Sequence, residues 1–162
     1  MKKIAFLLFG ILLLSLVGCT NRNKVNNVYS FSGERDEFRV INGVVDLGGE
    51  DISTFYGGEL EIKRDDFKNI KEYSTRFYIE EGKEEWTILN NSTKHVNGTF
   101  ELTNQELGQI FGAILKTNSE SKSLEEHLCF ELIVTYENGK KETFKIPMHV
   151  EPVLKVQKVK YE

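Results

Sequence analysis

His127-Leu-Cys-Phe-Glu-Leu-Ile-Val-Thr-Tyr-Glu-Asn-Gly-Lys-Lys-Glu-Thr-Phe-Lys-Ile-Pro-Met-His149 reads as a β-hairpin and decides the fold. Leu128, Phe130, Leu132, Val134 and Tyr136 recur at every second position, so they share one face of a strand. Phe144, Ile146 and Met148 form the return face, and Asn138-Gly139 turns the chain. Register selects the turn. A two-residue loop would set Leu132 against Lys145, whereas the three-residue loop Glu137-Asn138-Gly139 sets Leu132 against Phe144, Phe130 against Ile146 and Leu128 against Met148. A one-residue slip exchanges the faces, so only the second register places apolar on apolar. It requires Gly139 in the left-handed region after a type I turn.

The same period runs back to Val28. Tyr29 and Phe31, Phe38 and Val40, Leu60 and Ile62, then Tyr73, Thr75, Phe77 and Ile79 alternate with polar neighbours. Trp86 and Ile88 follow, then Val96, Gly98, Phe100 and Leu102. Gly and Asn clusters at Asn42-Gly43, Gly48-Gly49, Gly57-Gly58, Gly82 and Asn97-Gly98 punctuate the runs. Short strands at this spacing predict a mainly β, antiparallel β-sandwich or barrel. One stretch, 104–116, departs from the pattern. Thr103-Asn-Gln-Glu106 matches a capping box, and Leu107, Ile110, Phe111, Ile114 and Leu115 fall on one helical stripe. A short helix is expected there, with an extended Gly112–Leu115 strand as the alternative, because Gly108 and Gly112 both disfavour helix. Asn118–Ser123 reads as an exposed loop and Val153–Tyr161 as an edge strand or tail whose lysines discourage pairing.

The beginning of the chain is of another kind. Lys2 and Lys3 precede the apolar run Ile4–Val17, and Leu16-Val17-Gly18-Cys19 closes it. Residues 1–18 therefore read as a signal peptide and not as a fold element. The run is short for a bilayer-spanning helix. Leu-Val-Gly-Cys resembles a bacterial lipobox at every position, which implies cleavage before Cys19 and a diacylglyceryl thioether on its sulfur. Two acyl chains anchor stably where one does not. Residues 19–27 are then the lipidated cysteine and a polar tether, since Thr20–Asn27 holds a single aliphatic residue. At full extension it keeps the domain within roughly 30 Å of the lipid surface. Residues 28–152 form the sandwich domain, followed by 153–162.

Composition narrows the function. The net charge is −4, or −6 once Lys2 and Lys3 are removed, which disfavours nucleic acid as a partner. With Cys19 acylated, Cys129 is alone and no intrachain disulfide can form. The lipobox and tether, together with Tyr29-Ser-Phe-Ser-Gly-Glu34 and Tyr136-Glu-Asn-Gly-Lys-Lys-Glu-Thr-Phe144, resemble small uncharacterised lipoproteins of low-GC Gram-positive bacteria. That resemblance implies an immunoglobulin-like β-sandwich on the outer face of the cell membrane, and it brings no catalytic residues.

Chemistry-bearing clusters are few. In the hairpin register His127 faces His149, with Cys129 and Glu131 next on the same side, a set of zinc-like ligands. Ser119-Glu-Ser-Lys122 has the Ser-x-x-Lys spacing without the companion motifs of acyl-serine enzymes. The carboxylate pairs Asp65-Asp66, Glu80-Glu81, Glu84-Glu85 and Glu125-Glu126 lack EF-hand spacing and read as solvated faces. Tyr29, Phe31, Phe38, Phe55, Tyr56, Tyr78 and Trp86 could supply a recognition platform. Of these, Phe55 and Tyr56, ahead of Gly57-Gly58, are expected in a binding loop. No P-loop or dinucleotide fingerprint is present and no cofactor is implied. The expectation is a membrane-anchored binding module, not an enzyme, that meets an envelope protein, a peptide or cell-wall glycan; the alternative is a metal-handling lipoprotein using His127, Cys129 and His149.

Overall fold

A computed structural model describes residues 27–48, 53–65, 67–112 and 118–154. They form an antiparallel β-sandwich. The first sheet has the order β11(His149–Leu154), β1(Asn27–Glu34), β2(Phe38–Leu47), β3(Ser53–Tyr56), β8(Gln109–Gly112). Here β4(Glu59–Ile62) also pairs with β2, and β7(Gln105–Glu106) with β4. The second sheet has the order β10(Lys141–Pro147), β9(Leu128–Tyr136), β5(Ile70–Glu81), β6(Glu84–Lys94). The expected signal peptide, the expected acylation site Cys19, the expected tether to Asn26, and residues 113–117 and 155–162 lie outside the described residues.

The hairpin takes the three-residue loop. Phe144 pairs with Leu132 and Ile146 with Phe130, Met148 N donates to Leu128 O at 2.8 Å, and Gly139 has φ +80°. Immediately after Met148 the chain changes sheets: β10 runs straight on into β11, which pairs with β1 in the opposite layer. Phe31, Phe55 and Phe77 pack at 5.1–5.5 Å between ring centroids, and Phe77 continues to Phe130 at 4.9 Å. Thus one aromatic chain joins the two layers, as the inward half of the alternation predicts.

A crease crosses the first sheet. β3 and β4 keep a single register along β2 (Val44 opposite Tyr56, Ile41 opposite Glu59), so they are one strand interrupted at Gly57-Gly58. β8 and β7 are likewise one strand interrupted at Leu107-Gly108, with Gly57 N donating to Gly108 O and Leu107 N to Gly58 O. At this level Asn42 (φ +59°), Gly58 (+75°) and Gly108 (+83°) are all left-handed, and β1 carries a bulge between Phe31 and Gly33. Irregularities aligned across neighbouring strands bend a sheet. This crease wraps the first layer around the aromatic core.

The helix expected near 104–116 is absent from its described part: Gln105–Glu106 and Gln109–Gly112 are strands. Gly108 and Gly112 (φ +135°) take backbone conformations no right-handed helix contains. Asn104 Oδ1 accepts Ile62 N at 2.8 Å, so the capping-box residues serve the sheet. The helix occurs instead at α1(Asn118–His127), over the stretch read as a loop. Its Leu124 is fully buried, and Lys122 Nζ reaches Glu126 one turn on at 3.6 Å. Residues 95–104 form no long strand. Phe100 bridges to Ile70, and Val96 lies in solvent.

α1 closes one end of the sandwich. Tyr29 on β1 donates its hydroxyl to Glu125; burial first, and that carboxylate second, push the phenol up to about 12. A phenol raised above its unfolded value of about 10 contributes stability that is complete below pH 10 and lost as pH rises toward 12. Tyr29→Phe is therefore expected to lessen the fall in denaturation midpoint between pH 10 and 12; an unchanged alkaline profile would refute this linkage.

Candidate functional site

β1 enters the domain at Asn27 and runs eight residues to Glu34, a span of about 25 Å. At the far pole three segments enclose an open cleft of about 650 Å³. The first is the β1–β2 turn, closed by Arg35 N to Phe38 O at 3.0 Å. The second is Lys68-Asn69, where Asn69 (φ +56°) accepts Glu137 N at 2.8 Å and so fixes the approach to β5 against the hairpin tip. The third is the hairpin tip itself, where Asn138 Oδ1 accepts Lys140 N at 2.9 Å.

The floor is aromatic and the walls are charged. Phe144 lies under Arg35, whose guanidinium is 4.9 Å from the ring centroid, while Tyr136 donates to Glu142 Oε2 at 2.8 Å. Lys140 Nζ is 2.6 Å from Glu142 Oε1. Lys140 first and Tyr136 second hold the Glu142 carboxyl below its ordinary value. Arg35 Nε, 2.6 Å from Glu37 Oε2, does the same for Glu37. Carboxylates held ionised in this way are unsuited to donate protons near neutrality. None of the described lining residues is Ser, Cys or His. Aromatic floor, amides and paired charges suit recognition of a polar chain, and the volume is in the range of small-ligand sites.

A second polar constellation lies mid-sheet on the outer face of the second layer. Arg76 contacts Glu85 at 2.9 Å and Glu131 at 3.2 Å, and Lys145 contacts the same two carboxylates at 3.5 and 3.6 Å. The square covers Tyr78, which is fully buried although it points away from the core: Arg76 lies 4.1 Å and Lys145 5.3 Å from its ring centroid. Each charge is answered by two of opposite sign, so the square is a lid for Tyr78 and offers a ligand little.

The expected site residues fare differently. Phe55 and Tyr56 are in strand β3, not a loop, and Phe55 is fully buried against Phe31 and Phe77. The glycines after them belong to the crease. Tyr29, Phe31, Phe38 and Tyr78 are buried too; of the platform aromatics Trp86 is the most exposed, at 46%. The His127, Cys129 and His149 trio is not assembled. His127 ends α1 beside Glu126, whereas the sheet change carries His149 onto β11, opposite Ser32 and 2.8 Å from Glu151. Burial, then Glu80, raise the Cys129 thiol, which keeps it protonated and a poor ligand. Among the described residues no three His, Cys, Asp or Glu side chains gather as a metal-binding group. Lys122 of the Ser-x-x-Lys match pairs with Glu126. Neither the cleft nor the square was read from the sequence. Each joins residues from distant segments, and the local signal was limited to the Asn138-Gly139 turn and Glu131 on the strand face of Cys129.

Comparison with protein-family models, with curated proteins and with solved structures returns no match to this chain.

Proposed function

We propose that the chain is a lipid-anchored binding module of the extracytoplasmic membrane face, held by a diacylated Cys19, whose far-pole cleft receives a polar chain, peptide or glycan, of the cell envelope. The observation that carries this reading is polarity: the cleft of Glu37, Asn69, Tyr136 and Asn138 lies at the end of β1 opposite Asn27, to which the tether joins. A domain oriented in this way turns its cleft outward. The Ser-Gly-Glu and Asn-Gly-Lys segments favour a Gram-positive envelope as its setting. Rigid strand ends holding a preformed, solvated cleft suit recognition with little ordering cost.

Two measurements test the reading separately. Cys19→Ala should move the protein from the membrane fraction to the soluble fraction; if it stays membrane-bound, the anchor is something else. In cells, a photo-cross-linking residue at Asn138 should capture envelope material, and one at Ser92 on β6 should not. Equal capture at both positions would remove the cleft from consideration.

A further inference from the structure

The large apolar side chains left in solvent are not spread evenly. One row of paired residues crosses the first sheet at the entry pole: Leu154, Val28, Asp46, Thr54, Phe111. Val28, second in the row beside Leu154, directly follows Asn27, where the tether ends. Phe111, at one flank of the row, is 63% exposed; Val153, beside the other flank, is 55% exposed; and Ile110 is exposed on the row above. In the second sheet the same pole is marked by the β5–β6 turn, where Ser123 of α1 donates to Glu81 at 3.1 Å. Trp86 follows this turn, opposite Ile79. Four of the five exposed large hydrophobics among the described residues thus ring the pole where the chain enters, and the fifth, Val96, is at the other end.

We infer that this pole rests on the lipid surface, with Phe111, Val153 and Trp86 dipping into the headgroup region, so that the anchor holds the domain upright. The inference builds on the acylation of Cys19. From there only Thr20–Asn26 separate the lipid from Asn27, and at full extension they reach no further than roughly 30 Å. Such a tether presents the pole to the bilayer at high effective concentration, so a few apolar side chains suffice without strong intrinsic affinity. Trp is well suited to this boundary, having an apolar body and a polar N–H. Glu81 and Glu84 flank Lys83 at the same pole, and Lys122 there pairs with Glu126, so no basic patch is offered to anionic lipid and the contact is apolar.

Trp86 is the single tryptophan of the chain and reports directly. The acylated protein, its lipid verified by intact mass, is reconstituted in phosphatidylcholine vesicles with and without brominated acyl chains. The expected result is a blue-shifted Trp86 emission that brominated lipid quenches, with the quenching lost on Phe111→Ser combined with Val153→Ser and kept on Val96→Ser. Emission that brominated lipid leaves unchanged overturns the inference, as does a blue shift without quenching, which would mean that two copies cover each other. If the mass shows no acyl group, the anchor reading fails by itself. The pole is then judged by the same quenching in a Cys129→Ser chain coupled through Cys19 to a maleimide lipid.

Discussion

Gly58→Ala is expected to remove a large part of the protein's stability. At φ +75° an L-residue is disfavoured by about 1–2 kcal/mol. The steric penalty is greater: a Cβ at Gly58 would be 2.1 Å from Ile41 O and 2.7 Å from Gly43 N. Those are backbone atoms of the neighbouring strand, which cannot rotate away. Relieving the clash means parting β2 from β4 at the crease, with loss of the ladder bonds on either side. The combined cost should exceed about 4 kcal/mol, a large share of the roughly 5–15 kcal/mol that stabilises a typical domain. Gly82→Ala is the matched control. Its φ of +65° is similar, but nothing lies within 4 Å of the added Cβ, so only the conformational cost of about 1–2 kcal/mol should appear. Denaturant titration of both variants decides the matter; equal losses would show that the crease tolerates a side chain.

Phe77→Ala should be the most damaging truncation in the core, by about 3–5 kcal/mol. The ring touches Phe31 and Phe55 of the first sheet and Phe130 of its own, all within 5.5 Å between centroids. Phe31, Phe55 and Phe130 are each fixed on a different strand, β1, β3 and β9, so the space can close only in part. A fall in melting temperature of about 10–15 °C is expected. Phe111→Ala, at 63% exposure, should leave it nearly unchanged. A small loss at Phe77 would mean that the layers close on each other more easily than their interlocked rings suggest.

The contrast between these two phenylalanines marks how far the sequence could be read. The hairpin from Leu128 to Met148 was legible down to its register, since turn length and alternation are both local and agree. The inward faces of β1, β2 and β5 were legible for the same reason. Phe55 was misread because Gly57-Gly58 has the composition of a loop; here the glycines let three backbones meet at the crease, a demand made by other strands. The segment from Thr103 carries a true capping box, yet the ladder partners offered by Ser53–Tyr56 outweigh a helix weakened by two glycines. Hidden altogether was what depends on pairing over long separations. Arg76 and Glu131 are 55 positions apart, and the cleft takes one wall each from the first turn, the approach to β5 and the final hairpin. In each segment these residues look like ordinary surface charge.

β1, the strand to which the proposed tether would lead, is paired along both sides, with β11 and with β2. Tension applied between Asn27 and the opposite pole acts along this strand, so it cannot peel residues off one by one. It must slide two ladders at once, and β11 is continuous through Met148 with the opposite layer, which draws the second sheet into the resistance. The domain is thereby a stiff mechanical link that can carry a pull from one pole to the other before any of its strands gives way.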